Sequence, residues 1–506
     1  MSKFGKPHKL IATMLGAVIT LASVCGCENS GKTIDVIAPM VTETVNKQTS
    51  MLEEYEIAYE AEPMKPAILV DLYGYEPKAV KQAVVEAGLL PSGFEVVEKE
   101  TGRVVYTGTL KLRECPEDGE RMSAIADFTG IEVEGEYYVR TDLLGRSKDF
   151  CIKENIYEDL MRETILGLHN LRCGHGDHAN CHSAMALMED DLTKQYDVSG
   201  GWHTNERGEK DVVDGCLAVL DLLMAYDYYP KSFLDDTGIE ESGNSIPDIL
   251  DEAMYEASWL LKMQDQQTGG VYTSVSYQQT STDDVPILVV GGETTRATAY
   301  FCTAMARMSY VVNPYDWQFS NACMKAANLA WKCLDANKEL VTSEQMYRAA
   351  VEMYRATGLV TYNSVISSYL KENVDKGFES RITLDAAIDY MDSTRGVNLE
   401  YCTTLMQNFM DRTEEKANAS KESRYLVEPA VEGEESEVLR LLRNGFEISV
   451  VNYIISNEEY TKISQNYVHY LCGRNENSEI CKDLVYSPDA YAQFLMILGK
   501  LVIKTN

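Results

Sequence analysis

Two cysteines and two histidines come closest to recognisable chemistry in this 506-residue chain. Cys173 is followed eight residues later by Cys181-His182, and His203 comes directly after Trp202. Two thiolates and two imidazoles form a closed, four-coordinate set of the kind that holds structural zinc, leaving no position for water. The spacing fits no zinc-finger pattern, so the residues alone leave a plainer account open: buried core thiols and a satisfied histidine. His175 and His178 lie between and could substitute as ligands. Acids are plentiful nearby. Glu206, Glu209 and Asp211 follow the histidine, and Glu479 and Asp483 lie toward the C-terminus. Two carboxyl groups about 6.5–9.5 Å apart can activate water and protonate a leaving oxygen. Solvated acids on a very acidic surface are the alternative.

That surface is acidic because 79 Asp and Glu face 46 Lys and Arg, a net charge of −33. Such a charge repels phosphate backbones and excludes a nucleic-acid binder or a protein held by anionic lipid. Tyr (31) outnumbers Phe (11) and Trp (4) together, a composition that suits sugar-binding clefts. Lys3, Lys6 and Lys9 precede an apolar stretch from Leu10 to Val24, the pattern of an export signal. Val24-Cys25-Gly26-Cys27 resembles a bacterial lipobox, which makes residues 1–27 a lipoprotein signal and Cys27 the lipidated residue. The expected location is a cell surface or membrane, reached through the lipid anchor alone. Beyond Cys27 eleven cysteines remain, an odd number that cannot all pair. Exported thiols of that number suit an oxygen-poor habitat. Residues 28–65 are polar and weakly periodic and read as a tether.

The elements that must position the metal donors change character along the chain. Ile68–Leu72, Phe94–Lys99, Val104–Tyr106, Ile125–Phe128 and Tyr137–Arg140 are strand-like runs separated by turns. They predict a small β-sandwich over residues 66–153. From residue 154 to 506 amphipathic runs dominate, among them Tyr157–Asn170, Val212–Tyr229, Ile249–Gln264, Thr295–Val312, Ser320–Asn337, Glu344–Thr357, Ile448–Ile455, Lys462–Cys472 and Pro488–Ile503. No βαβ alternation and no phosphate-binding loop appears. This part is expected to be all-α, with room for about twelve helices.

Several stretches here resemble glycoside hydrolase family 9, the cellulase family. They are Ser242-Gly243-Asn244-Ser245-Ile246-Pro247-Asp248-Ile249-Leu250-Asp251-Glu252-Ala253, running on to Trp259–Gln264 and Gly269–Tyr272, together with Asp197–His203 and Tyr470-Leu471-Cys472-Gly473-Arg474-Asn475. Phe94–Gly108 and Ile125–Phe150 resemble the immunoglobulin-like module that precedes the catalytic domain in part of that family. The resemblance covers nearly all of residues 66–506 and is weakest between about 358 and 435. It implies an immunoglobulin-like sandwich followed by an (α/α)₆ barrel, with a cleft that takes β-1,4-glucans and hydrolyses them by inversion. It also implies that Cys173, Cys181, His182 and His203 ligate zinc, and that Trp202 stands at the cleft where it could stack on a sugar ring.

The residues that carry hydrolysis in the family are missing. Its Asp-Ala-Gly-Asp box directly follows Gly-Gly-Trp-His. Here Thr204 takes the first Asp position and Arg207 the second, which is the base. A threonine hydroxyl is no base near neutral pH, and an arginine is a cation without an acceptor. Aligning the last helix on Pro488 puts Cys481 where the acid Glu belongs. Glu206, Glu209 or Asp211 are the candidate substitute bases, and Glu479 or Asp483 the candidate acids. The reading is therefore a β-glucan-directed surface lipoprotein with impaired or absent hydrolysis and retained glycan binding. The alternatives are an inverting hydrolase using displaced carboxylates and a structural or assembly protein whose cleft binds nothing. Asp235-Asp236 and Glu240-Glu241 leave calcium open as a second metal, with no ligands assigned.

Overall fold

The computed structural model describes residues 66–113, 122–174, 182–279, 285–378, 380–428, 437–481 and 487–502. The expected lipobox with Cys27, the tether, Cys181 and Asp483 lie outside the described residues. The described residues divide into two units, one within 155–468 with Cys481 and 487–502, the other within 66–154 with 469–480.

The second of these is the β-unit. One sheet runs β1 (Ile68–Leu69), β2 (Gln82–Ala87), β6 (Met122–Asp127), β5 (Lys111–Arg113). The other runs β4 (Val104–Thr109), β3 (Gly93–Glu98), β7 (Gly135–Thr141), β8 (Gly145–Arg146), with β9 (Phe150–Ile152) also on β7. Alternation turns Val85 and Ala126 of the first sheet and Phe94, Val96 and Val139 of the second into one shared core. The predicted hairpin is β3–β4, with Val96 opposite Tyr106 and an irregularity at Val96/Val97. Strand β2, read as nothing in the sequence, is the centre of its sheet.

Residues 469–480 were expected in the helical domain but group with this unit. Buried His469 meets Asp71 through Nδ1 and Oδ2 at 2.7 Å, and the Leu72 N–H donates to the Cys472 carbonyl at 2.8 Å. Lys148 Nζ donates to the Ser478 carbonyl at 2.7 Å. These pairings join residues more than 300 positions apart, 398 for His469 with Asp71 and 330 for Lys148 with Ser478, which no local pattern encodes.

The helical unit has twelve α-helices among the described residues: α1 Ile156–His169, α2 Val212–Tyr228, α3 Asp248–Lys262, α4 Thr295–Val311, α5 Trp317–Ala336, α6 Ser343–Thr357, α7 Val360–Asn373, α8 Arg381–Met391, α9 Leu399–Glu422, α10 Glu437–Ile454, α11 Glu458–Leu471 and α12 Pro488–Val502. Packing runs α2, α4, α6, α8, α9, α10, α12 and returns to α2, so the sequence of neighbours closes. Helices α3, α5 and α7 lie against α2, α4 and α6. Helix α2 is apolar nearly all round and almost wholly buried, as an inner helix must be.

Two expectations change here. The second part is not purely helical: β11 (Gln195–Asp197), β10 (Met185–Met188), β15 (Ile287–Val290), β14 (Ser274–Gln278) and β12 (Lys210–Asp211) form a sheet in that order. Helices also fill the stretch after Thr357 where no clear run was visible. Helix α9 shows why. It buries Leu405, Phe409, Thr413, Ala417 and Ser420, a stripe whose period is helical but whose later members are small or polar. Inside the unit, Arg307 and Arg355 reach Asp389 at 2.7 and 2.9 Å, and Arg348 also pairs with it. Burial opposes charge on Asp389, yet the three guanidinium groups outweigh it and hold the carboxyl low.

Candidate functional site

The metal corner is built by a two-strand contact. Cys173 N–H donates to the Gly201 carbonyl at 2.7 Å and His203 N–H to the Leu171 carbonyl at 2.8 Å, with Arg172 opposite Trp202. This register puts Cys173 opposite Gly201 and His203 opposite Leu171, so both donors emerge on the same face. Gly201 adopts φ 74°, and a Cβ there would lie 2.7 Å from the Trp259 ring, so only glycine fits this approach. Lys210 Nζ secures the same loop by donating to the carbonyls of Gly200, at 2.8 Å, and Val198.

The ligand atoms of Cys173, His182 and His203 all lie within 4.8 Å of one another. Cys173 Sγ is 3.6 Å from His182 Nε2. A tetrahedral zinc with bonds of about 2.3 Å to sulfur and about 2.0–2.1 Å to nitrogen separates such donors by about 3.6 Å. His182 Nδ1 lies 2.6 Å from the Ser183 carbonyl. That contact places the proton on Nδ1 and turns the Nε2 lone pair toward Cys173. Burial and nearby Lys210 lower the His182 pKa, favouring the neutral, ligating form. The donors present fit a zinc ion. Cys181, the fourth expected ligand, lies outside the described residues.

Behind this corner sits one carboxylate. Glu252 of α3 is buried and accepts from His169 Nδ1 at 2.6 Å, Arg172 Nε at 3.1 Å and Trp202 Nε1 at 3.2 Å. Glu256, one turn on, accepts from the Trp202 backbone N–H at 2.7 Å. Trp202 is 1% exposed. The expectation that it offers a stacking face to sugar is corrected: its ring is enclosed, and its indole N–H is committed to Glu252 because a buried donor needs a partner.

The loop that follows is closed on itself. Thr204 N–H donates to the Glu209 carbonyl at 2.8 Å. Asn205 Oδ1 accepts from the N–H groups of Arg207 (2.9 Å) and Glu209 (3.2 Å). Glu209, half-buried, accepts from Asn205 Nδ2 through one oxygen at 2.7 Å and from the Tyr277 N–H through the other at 2.9 Å. Glu206 and Arg207 are exposed. Asp211 is used as the N-cap of α2, accepting from Val213 and Asp214 N–H groups at 2.8 and 3.0 Å. Of the candidate bases, Glu209 and Asp211 are tied into backbone architecture by these bonds. Glu479 is exposed and belongs to the β-unit grouping, whereas Cys481, half-buried, belongs to the helical unit.

Sequence reasoning missed two carboxylates at this end of the inner helices. Asp214, one turn into α2, is pushed up to about 6 by burial and then by the charges of Asp211 and Asp489, against Arg296 and Arg381. Asp489, in the first turn of α12, takes a bidentate contact from Arg381 at 2.6 and 2.9 Å, and Arg381 also meets Asp221 at 2.6 Å. The available signals were the Asp211/Asp214 spacing of three and an Asp immediately after the helix-starting Pro488.

The calcium expectation falls on two clusters. Asp235, Asp248 and Asp251 come together, as do His169, Glu240 and Glu241. In the first, Thr237 and Gly243 N–H groups, Ser242 and Asn244 already bond the carboxylates. Asp236 is not part of either cluster.

Residues 157–480 match the family described as glycosyl hydrolase family 9, and residues 64–146 match the cellulase N-terminal ig-like domain. Endoglucanase D of Acetivibrio thermocellus is 31% identical over 302 residues, covering 55% of this chain and 47% of that protein. A cellodextrinase of Butyrivibrio fibrisolvens is 27% identical over 292 residues, covering 54% of this chain and 52% of that protein. The chain thus spans about half the length of these relatives. A crystal structure of a metagenome-derived glycoside hydrolase family 9 endoglucanase superposes with a TM-score of 0.74 at 22% identity, covering 86% of this chain and 98% of that one. At that identity the likeness is one of fold.

Proposed function

The chain belongs to glycosyl hydrolase family 9, and from that premise we propose that it is a glycan-binding protein of β-glucan processing whose hydrolytic step has been lost. The twelve helices are read as the six hairpins of an (α/α)₆ barrel, with the glucan cleft at the N-terminal ends of α2 and α12. One observation carries the loss: the loop at the family's base position presents exposed Arg207, while the half-buried carboxylate beside it, Glu209, has both oxygens engaged. General-base help is worth about 10²–10⁴-fold, and a fixed cation supplies none. Zinc held by Cys173, Cys181, His182 and His203 pins the start of this loop and takes no part in chemistry. Export and lipidation at Cys27 place the protein on a membrane or cell surface.

The test has two arms. Soluble β-glucan at high protein load is expected to remain uncut, while calorimetry with cello-oligosaccharides is expected to give saturable heat. Sugar release that disappears in Glu206→Gln or Glu479→Gln would overturn the lost-hydrolysis reading, and absence of heat with every β-glucan would overturn glycan binding.

A second reading, hydrolysis through displaced carboxylates, has one observation in its favour. Asp214, held near 6, keeps a protonated fraction close to neutrality and lies within electrostatic reach of Asp489. Under that reading Asp214→Asn abolishes turnover that Glu206→Gln leaves intact.

A further inference from the structure

Helix α2 carries the dismantled box at its N-terminal end. Its 17 residues place its far end about 25 Å away. There the inner helices present a different surface. Tyr453, near the end of α10, lies flat on Tyr228 of α2, with ring centroids 4.1 Å apart and 10° between planes. Tyr229 meets it edge-on at 5.6 Å and 89°. Yet Tyr453 remains 42% exposed. A ring covered on one face and one edge, with that much surface free, turns its other face to solvent.

Exposed Ile454 and Ile455 follow Tyr453 in the chain, and two carboxylates add a polar side to this surface. Asp392 and Asp227 lie close enough for their charges to act on the Tyr453 hydroxyl, after the larger effect of burial. Arginines hold both: Arg355 Nη2 is 3.3 Å from Asp392 Oδ2, and Arg307 Nη2 is 3.1 Å from Asp227 Oδ2. The two carboxylate side chains stay 37% and 26% exposed, so each keeps acceptor capacity toward water. A flat, immobilised aromatic face beside oriented acceptors is complementary to a pyranose, which offers C–H groups on its face and hydroxyls at its edge. A purely apolar partner would leave the same carboxylates desolvated and unpaired. Pre-stacking on Tyr228 also removes the rotamer entropy that binding would otherwise cost.

We propose that Tyr453, backed by Tyr228 and flanked by Asp392 and Asp227, is a second carbohydrate platform for neutral polymeric β-glucan, remote from the cleft. The inference rests on the glycan-binding reading above and extends it. Two points of attachment on one polymer raise retention through effective concentration, without a new contact in the cleft.

The experiment is retention of the full chain on insoluble amorphous β-1,4-glucan. Tyr453→Ala is expected to lower retention about 3–10-fold, the order of one lost ring contact. Tyr453→Phe keeps the face and is expected to retain wild-type binding. Asp392→Asn leaves the ring stack in place and is expected to weaken retention on its own, which separates recognition from any loss of fold in the alanine variant. Retention unchanged in both Tyr453→Ala and Asp392→Asn overturns the platform alone. A Tyr453→Phe loss as large as that of Tyr453→Ala also overturns it, because the face would then not be the binding element. A wild-type chain that no β-glucan retains overturns both this platform and the glycan-binding reading.

Discussion

Cys173, His182 and His203 converge on one point, whereas the residues immediately after His203 have no common target. The corner is held by backbone pairing between Leu171–Cys173 and Gly201–His203, by Glu252 behind it and by Lys210 beneath it. The loop Thr204–Glu209 is held by its own turn and by Glu209. The contrast separates two kinds of constraint. Metal donors are tied to the packing of α3 and to Trp202, so replacing one leaves buried polar groups without partners. At the box positions Glu206 and Arg207 are exposed while Thr204 and Asn205 are half-buried, so changing the exposed pair costs the fold little. Under the proposed function, the donors embedded in the core are the ones kept and the groups displayed at the surface are the ones replaced.

Four measurements sharpen or break this contrast. The largest effect is expected from Cys173→Ala. Loss of a structural metal ligand should cost roughly 3 kcal/mol or more, seen as a Tm lower by about 6–12 °C, together with loss of bound zinc in metal analysis. An unchanged Tm with full zinc content would remove the corner's special status. Next comes Gly215→Ala in α2. A Cβ there would lie 2.2 Å from Glu256 Oε1, the carboxylate that receives the Trp202 N–H. Overpacking at such a point costs about 1–3 kcal/mol, measurable by urea denaturation. A wild-type midpoint would show that Glu256 can move freely and that the corner is not rigidly backed.

The third concerns pH. Burial pushes Glu256 up to about 8, with Glu252 adding to the rise and Trp202 N–H and Lys210 opposing it. Its carboxyl keeps a proton in the folded chain that the unfolded chain releases above about 4.5. The folded state therefore binds more protons between those values, so this residue's contribution to stability falls as pH rises from 4.5 toward 8. The slope is at most about 1.4 kcal/mol per pH unit for one proton. Stability curves for Glu256→Gln should be flatter across that window, and an identical slope would assign the titration elsewhere. The smallest effect is expected on the other side of the comparison. Arg207→Ala should change stability by no more than about 0.5 kcal/mol, and a larger loss would mean that the loop is as constrained as the corner.

Much of the architecture was legible. Strand-like runs gave the hairpin β3–β4, a nearly continuous apolar run marked α2, and apolar periodicity marked α4 and α6. Helix α9 escaped because Thr413, Ala417 and Ser420 carry its buried stripe. The sheet over Lys210–Asp211 and Ser274–Gln278 escaped because its strands are short and distant in the chain. The proposed metal donors were visible as residue types, and Thr204 and Arg207 as residue identities, since both are properties of a one-dimensional string.

Sequence by itself determined the family, the order of a β-rich part and a helical part, and which side chains occupy the proposed metal and box positions. Identity and local periodicity suffice for those. Only the tertiary structure decided that Trp202 is enclosed, that Asp214 is held near 6, that three arginines share Asp389, and that residues 469–480 pack with the strands. Each depends on burial or on charge met across long separations, and free energy of that kind exists only once distant segments share the same few ångströms.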